Sequence, residues 1–285
     1  MHKKIHIGLA QWHHSHWYSS NSSVSAGLSQ YSRYFSSIEG NASFYALPSS
    51  ANLKKWHDST PSYFKFCFKF PQEISHKQGL IHCSRLVCDF LNRISPLNDK
   101  LGIIWLQLDA HFAAKDLYRL AAFLKDLPTE FNYGVEVRHL DFFRKGDVER
   151  KFNQILKAYH VNRVIFDTRS LFACEQKDAV LDVPTREALA AKPRVPTHVI
   201  NTGSHPFVRV IVPMDIELGR WVLMQWVEKV VFWLNQGLLP YLFFHTPDNV
   251  RAPHLAIEFT KLLNARLPDI EPLPEWPGGT QGDLF

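Results

Sequence analysis

The sequence predicts an α/β fold, a single (β/α)8 TIM barrel, from three observations. Strand-like and helix-like patterns alternate with little interruption, which is typical of parallel sheets built from βα units. Eight strand-like segments can be counted, the number that closes this barrel. The length of 285 residues is usual for one such barrel. We therefore predict a barrel domain over residues 1–266 and a flexible Pro/Gly-rich tail over 267–285.

Each predicted strand is a short run rich in β-branched and aromatic residues. In chain order these runs are Ile5–Leu9, Ser37–Asn41, Tyr63–Phe70, Leu101–Leu108, Tyr133–Arg138, Arg163–Asp167, Phe207–Val212 and Tyr241–Phe244. Between them apolar residues recur at helical spacing, as in the stripe formed by Leu80, Cys83, Val87, Leu91 and Ile94. Such spacing predicts amphipathic helices packed around the outside of the barrel.

Two segments depart from this rhythm. The connection from Thr168 to Pro206, between strands six and seven, is long, and long loops are uncommon unless they are functional. Within it, TREALAAK predicts a short helix. The tail from Leu267 onward carries prolines and glycines that cannot support a helix, so we expect it to be mobile.

Composition favours a globular chain without membrane spans. The chain is 46% hydrophobic and 21% charged, and its net charge of +5 mildly favours anionic partners such as nucleic acid or phosphorylated metabolites. The most apolar stretch, Trp221–Phe244, is interrupted by Glu228, Lys229, Gly237 and Pro240, which predicts a buried helix and then a strand. The four cysteines lack CxxC or zinc-site spacing, so a reduced, cytoplasmic setting is expected.

The alternation of side chains along the strands predicts a polar pocket inside the barrel. In GVEVRH the valines share one face, while Glu136 and Arg138 share the other, where burial makes charges costly. The same phase assignment gives the inner face Glu39, Asn41, Lys69, Gln107, Asp167 and Arg209, with His245 just beyond strand eight. Active sites of such barrels lie at the carboxyl ends of the strands, so we expect these residues to converge there. The alternative is that Glu136 and Arg138 only pair with each other inside the barrel.

Two chemistries fit the predicted pocket. The predicted catalytic residues Glu39, Glu136, Asp167 and His245 offer ligands that suit Mg²⁺, Mn²⁺ or Zn²⁺, and such a metal could activate water. Cations on the same faces could instead neutralise the carboxylates without a metal. A divalent metal is therefore allowed, but no cofactor is favoured.

In the metal-free version, cations hold a phosphate or carboxylate group while Glu136 or Asp167 acts as a base. These cations are Lys69, Arg138 and Arg209. The predicted substrate-binding set also includes Asn41, Gln107, Trp12 and Tyr45. The two aromatic residues could stack on a base or sugar ring, or they could be hydrophobic plugs at the roots of loops.

Six motifs carry a family resemblance: GLAQW at 8–12, EGNASFYALPS at 39–49, FKFCFKFPQEISH at 64–76, FLNRISPLNDKLG at 90–102, GVEVRH at 134–139 and YLFFHTPDN at 241–249. Together they resemble the YecE-like TIM-barrel proteins, a domain of unknown function, over essentially the whole chain. The resemblance implies a cytoplasmic bacterial protein with this barrel, and the family has no settled activity that could be carried over to this chain. Where many relatives have FNN after strand eight, this chain has Phe244, His245 and Thr246. An asparagine contact would therefore become an imidazole contact.

The last five residues, QGDLF at 281–285, resemble the pentapeptide by which bacterial DNA polymerases and repair factors dock on the sliding clamp. Gln281, Leu284 and Phe285 are the predicted clamp-binding residues, with the last two as apolar anchors. The first functional prediction is therefore a DNA-associated repair or processing enzyme, or a DNA binder. The alternatives are a hydrolase or lyase acting on a phosphorylated or acidic small molecule, and a binding module without catalysis.

Overall fold

Eight parallel strands close into one barrel, which confirms the predicted fold class. The computed structural model describes residues 4–17, 24–176 and 181–276. Each strand pairs with the next, and β8 pairs with β1. The strands are β1 His6–Leu9, β2 Ser37–Gly40, β3 Lys65–Lys69, β4 Leu101–Gln107, β5 Asn132–Glu136, β6 Asn162–Asp167, β7 Phe207–Ile211 and β8 Tyr241–His245.

The helices surround this barrel with their apolar faces inward. In the described residues they are α1 Val24–Tyr34, α2 Ser50–Asp58, α3 Ser84–Ile94, α4 Leu117–Lys125, α5 Asp147–Ala158, α6 Arg169–Ala173, α7 Val183–Ala191, α8 Arg220–Asn235 and α9 Ala252–Arg266. In α3 the predicted stripe is buried at Val87, Leu91 and Ile94. Side-chain caps fix two helix starts, since Ser49 accepts from the Asn52 amide and Asp182 from the Thr185 amide.

Inside the barrel, apolar side chains fill the space beneath the carboxyl ends of the strands. This inner layer consists of Cys67, Ile103, Trp105, Val164, Phe207, Tyr241 and Phe243. Gly134 leaves room for it, because a Cβ there would lie 3.0 Å from Val164 Cγ2 and 3.4 Å from Trp105 Cβ. The glycine of GVEVRH therefore lets two large inner side chains approach β5, and the polar residues lie above this apolar floor.

The long connection between β6 and β7 is partly helical and is fixed to the barrel. It contains α6 and α7, and α7 agrees with the short helix predicted from TREALAAK. Beyond α7, Thr197 Oγ1 donates to Asp167 Oδ1 at 3.1 Å, and His198 Nδ1 lies 2.6 Å from Glu149 Oε1. These contacts fasten the connection to the outer face of β6 and to the first turn of α5.

The packed part of the chain extends ten residues beyond α9, farther than predicted. Leu267, Ile270 and Leu273 pack against the core, and Trp276 is 5% exposed. Its ring lies 4.8 Å from that of Tyr34 and 5.7 Å from that of Trp17. The prolines prevent a helix here, but regularly spaced apolar side chains still anchor an irregular segment. Residues 281–285, with the clamp-like motif, lie outside the described residues.

The apolar stretch 221–244 forms most of α8 and then β8, as predicted. Across the residues that the structure describes, we find no helix with the length and apolar character needed to cross a bilayer.

Candidate functional site: an ion-pair cluster at the carboxyl end of the barrel

A network of charged and polar side chains fills the barrel above the apolar floor. The structure brings together Glu39, Asn41, Lys69, Gln107, Glu136, Arg138, Arg209 and His245, all of them residues that the sequence assigned to the pocket. Six of these lie on strands and are at most 9% exposed. Alternation along six strands places these side chains at the same end of the barrel.

Arg209 lies at the centre of this cluster. Its Nη2 donates to Glu39 Oε1 at 2.7 Å, and its Nη1 donates to Glu136 Oε2 at 2.7 Å. The guanidinium carbon lies 4.7 Å from the centre of the Trp105 ring. One arginine thus binds two buried carboxylates, and both of its terminal nitrogens donate to protein oxygens.

Both glutamates are ionised at neutral pH. Burial alone would raise the pKa of Glu39, but Arg209 and His245 together hold that pKa well below its usual range. Burial also acts to raise the pKa of Glu136, where Arg138, Arg209 and Lys69 reverse the effect and the net shift is downward. The two carboxylates therefore act as fixed negative charges, and each is a weak base.

Arg138 lies at the opening of the barrel, with 20% of its side chain exposed. Its Nε donates to Glu136 Oε1 at 2.9 Å, and its Nη2 donates to Gln107 Oε1 at 2.9 Å. The pairing of Glu136 with Arg138 is thus present, as the alternative interpretation of GVEVRH expected. It is one edge of a larger network, because Arg209 and Gln107 join the two residues to β7 and β4.

Lys69 differs from the two arginines because no carboxylate lies within ion-pair distance of it in the described part of the chain. Its Nζ donates to Gln107 Oε1 at 2.8 Å and lies 3.7 Å above the Phe44 ring. Burial is the largest cause that lowers the pKa of Lys69 to about 8, and the charges of Arg209 and Arg138 lower it further against the opposing effect of Glu136.

His245 and Asn41 complete the surroundings of Glu39. His245 Nε2 lies 3.0 Å from Glu39 Oε2, and Asn41 Nδ2 donates to Glu39 Oε1 at 2.7 Å. Burial lowers the pKa of His245, with Glu39 acting in the opposite direction, so the imidazole is neutral at neutral pH. A neutral imidazole that donates its Nε2 proton to Glu39 carries a lone pair on Nδ1.

The cluster carries an excess of positive charge. Lys69, Arg138 and Arg209 supply three positive charges against the two negative charges of Glu39 and Glu136, a net charge of +1. A further cation comes from Lys192, the residue that ends α7. Solvent reaches much of the Lys192 side chain. The protein around its ammonium group still desolvates it enough to lower its pKa, and Arg209 and Arg138 lower that pKa further.

Sequence reasoning missed Lys192 because the residue lies on the long connection, where no strand phase applies. The unusual length of that connection was the only signal. Within the described residues, the side chain of Lys192 has no hydrogen-bond or ion-pair partner, whereas its backbone N–H donates to the Ala188 carbonyl. Its charge also acts on His245. It therefore belongs with the cluster as a cation at the barrel opening.

The prediction that Asp167 faces the pocket is wrong. The β6–β7 register pairs Phe166 with Arg209, so Phe166 faces the inside of the barrel and Asp167 faces the helices. Asp167 Oδ2 accepts from Trp226 Nε1 and from Arg169 Nη2, each at 2.8 Å. On β6 the charged residues Arg163 and Asp167 share the outer face with Ile165, and both form ion pairs outside the barrel, so a charged face did not mark the inside of this strand.

Trp12 and Tyr45 occupy different surroundings from the charged cluster. Trp12 packs edge-on against Trp56 of α2 at 5.1 Å and joins the outer apolar layer, so it is a hydrophobic plug. Tyr45 is 75% exposed and lies edge-on to Phe44 at 5.0 Å. The aromatic rings that contact the cluster are instead those of Phe44 beside Lys69 and of Trp105 and Phe166 beside Arg209.

The donor set does not favour a metal at this site. Across residues 4–17, 24–176 and 181–276, no group of three or more His, Cys, Asp or Glu residues is arranged to hold an ion. Arginine N–H groups already occupy oxygens of both glutamates.

A separate cavity of about 690 Å³ lies between α3 and α4, lined by residues such as Leu80, Leu91 and Phe123, and it does not border the cluster.

A family model and one known protein match the chain over nearly its whole length, and a further protein matches part of it. Residues 6–278 match the family model described as protein of unknown function DUF72. The chain is 42% identical over 284 residues to the UPF0759 protein YecE of Escherichia coli K12, covering 99% of this chain and 100% of that protein. It is 37% identical over 79 residues to the UPF0759 protein YunF of Bacillus subtilis, covering 27% and 28% of the two chains.

Solved structures show the same fold. A DUF72 family protein from Thermotoga maritima matches with a TM-score of 0.66 at 19% identity, covering 91% of this chain and 99% of that one. A DUF72 family protein from Enterococcus faecalis matches with a TM-score of 0.62 at 19% identity, covering 91% and 97%. With the matches in sequence, the resemblance drawn from the six motifs is confirmed, and the chain belongs to the DUF72 family of proteins of unknown function.

Proposed function

We propose that the chain binds a small organic anion, a phosphorylated or carboxylated metabolite, at the carboxyl end of the barrel and acts on it as an enzyme of the hydrolase or lyase type. The observation that carries this proposal is the uncompensated positive charge of the cluster. Three buried or half-buried cations face two carboxylates, and the unpaired Lys192 adds to the excess. An anion at the opening would balance this charge.

The cations divide into two groups by their freedom to contact a ligand. Arg209 donates to a glutamate from each of its terminal nitrogens, so it positions the two carboxylates and has few N–H groups left for a ligand. Arg138 and Lys192 lie nearer the opening, and Arg138 Nη1 makes no hydrogen bond to any described residue. A guanidinium with free N–H groups suits a phosphate or carboxylate, and a nearby ammonium adds charge. We assign the anion to these two side chains.

Acid–base chemistry falls to His245 in this proposal. Glu136 and Asp167 were the predicted bases, but Glu136 is bonded to two arginines with a lowered pKa, and Asp167 faces α8. His245 is neutral, and its contact with Glu39 fixes the ring. Its Nδ1 has no hydrogen-bond partner among the described residues and is the atom that can take a proton from a substrate.

The test measures the melting temperature of the purified protein with millimolar glycerol 3-phosphate, lactate and related phosphorylated or carboxylated metabolites. We expect at least one anion to raise the melting temperature, and Arg138→Ala or Lys192→Ala to reduce this rise. Lys261→Ala is the matched control, because it removes an exposed cation from α9, away from the opening. Stabilisation that is equal in all variants, or absent with every anion, would contradict the proposal. Ligand binding without turnover would instead favour the non-catalytic binding module.

A DNA-associated role is the second candidate, and the QGDLF sequence at 281–285 is the observation that favours it. In this version the protein docks on the sliding clamp through Gln281, Leu284 and Phe285. The test is binding of the full chain, and of the chain lacking residues 281–285, to purified clamp and to DNA at increasing salt. Clamp binding that needs the five residues supports this role, and DNA binding should weaken with salt as counterions are released. A chain that binds neither clamp nor DNA would rule it out.

A further inference from the structure

Lys69 has the position and surroundings of a reactive amine. It is the last residue of β3, at the end of the barrel where catalytic groups of this fold lie. The side chain is buried, and its hydrogen bond to a described residue goes to the neutral amide oxygen of Gln107. The two arginines of the cluster are ion-paired, whereas no carboxylate of the described residues is paired with Lys69.

Burial favours the neutral amine of Lys69, and the charges around it act in both directions. Arg138 and Arg209 repel a proton on Nζ, while Glu136 and Glu39 act against them, and burial is the largest influence. With its pKa at about 8, the fraction of neutral amine at pH 7.5 is about 200-fold higher than for an ordinary lysine. Desolvation and neighbouring cations are known to convert a lysine into an amine nucleophile.

We propose that Lys69 is the nucleophile of this site and condenses with the carbonyl group of a small anionic aldehyde or ketone. The inference rests on the proposed function, because Arg138 and Lys192 would hold the phosphate or carboxylate of the same substrate. It narrows the substrate class to carbonyl compounds and the reaction to imine-dependent chemistry, such as cleavage or formation of a bond next to the carbonyl carbon.

The condensation balances without an oxidant or reductant. The amine nitrogen bonds to the carbonyl carbon, and the carbonyl oxygen leaves as water with the two amine protons. One further proton, taken up from the solvent, makes the imine cationic. Glu136 offsets that positive charge, as it does for the ammonium form of Lys69. His245 Nδ1 then accepts the proton that is removed next to the imine carbon.

The experiment traps the imine by reduction. The protein is incubated with dihydroxyacetone phosphate or pyruvate and sodium cyanoborohydride, and labelled peptides are identified by mass spectrometry. We expect a reduced adduct on Lys69 at least about tenfold above that on other lysines. Glycerol 3-phosphate and lactate, which carry the same anionic groups without a carbonyl, should stabilise the protein and leave no adduct.

Two matched variants keep the result interpretable. Lys69→Arg keeps the positive charge and should abolish the adduct, and its melting temperature shows whether it is folded. Lys65→Arg changes the other lysine of β3, which bonds to the Asp99 carbonyl, and should leave the adduct on Lys69 unchanged. Adducts that form on Lys65 or Lys192 and spare Lys69 overturn the inference.

The outcomes separate this inference from the proposed function. If the non-carbonyl anions stabilise the protein and neither carbonyl probe labels Lys69, the imine chemistry is wrong and anion binding stands. If no probe stabilises or labels the protein, both the anion site and the nucleophilic role of Lys69 are overturned.

Discussion

Replacing Arg209 by methionine tests whether the ion-pair cluster is an electrostatic unit. Methionine fills much of the same space beside Trp105, so the main loss is the guanidinium. Glu136 would keep Arg138 as a partner, whereas Glu39 would keep only neutral His245 and Asn41. Breaking a buried pair by removing one partner costs about 3–5 kcal/mol, because one buried charge is left uncompensated. For a chain of 285 residues, that lowers the melting temperature by about 5–8 °C.

The loss of stability in Arg209→Met should depend on pH. In the native protein the pKa of Glu39 is lowered, so its stabilising contribution is present above the unfolded pKa and is lost as pH falls through the folded pKa. Without Arg209, burial raises the pKa of Glu39 above its unfolded value. Protonation then neutralises the unpaired carboxylate as pH falls. The difference in the free energy of unfolding between variant and native protein should therefore be smaller at pH 5 than at pH 8.

The assay is urea denaturation of both proteins at the two pH values. Arg220→Ala is the control, because it removes a half-exposed ion-paired arginine and should change the free energy of unfolding by about 1 kcal/mol or less. The double variant Arg209→Met with Glu39→Gln should regain part of the lost stability, since it removes the stranded charge. A cost below about 1 kcal/mol for Arg209→Met, or a cost that does not change with pH, would refute this account of the cluster.

Three further predictions concern single residues. The pKa of Lys69 is lower in the folded than in the unfolded state, so the free energy of unfolding should rise with pH between about 8 and 10.5. The rise should reach about 3 kcal/mol, and urea denaturation of Lys69→Met should lack it. Asp167→Ala should cost about 3 kcal/mol because Trp226 Nε1 and Arg169 lose their partner. The same variant should bind anions normally in calorimetry, and loss of binding by the folded variant would argue against its placement outside the cluster. Trp276→Ala should cost about 3–5 kcal/mol in urea denaturation, whereas a change below about 1 kcal/mol would contradict its burial against the core.

The period of two along the strands was enough to find most of the cluster. Glu136 and Arg138 alternate with valines, and Lys69 alternates with phenylalanines, so the sequence separates the two faces of β5 and β3. The same reasoning failed on β6, where Val164 and Phe166 face inward and Ile165 faces outward. The charged face of β6 points outward, because Arg163 pairs with Glu149 and Asp167 pairs with Arg169 outside the barrel, and the sequence of the strand does not show those partners.

The eight-stranded barrel and most of the strand residues at its carboxyl end could be predicted from the sequence alone, because strand count and alternation are local properties of the chain. The partners within the cluster were decided by the tertiary structure. Arg209 meets Glu39, 170 residues away, and Glu136, 73 residues away, only after the barrel closes. Lys192 reaches the opening only because the connection after β6 folds back over it and is held by Thr197. Electrostatic partnership depends on distance in space, and local sequence does not record that distance.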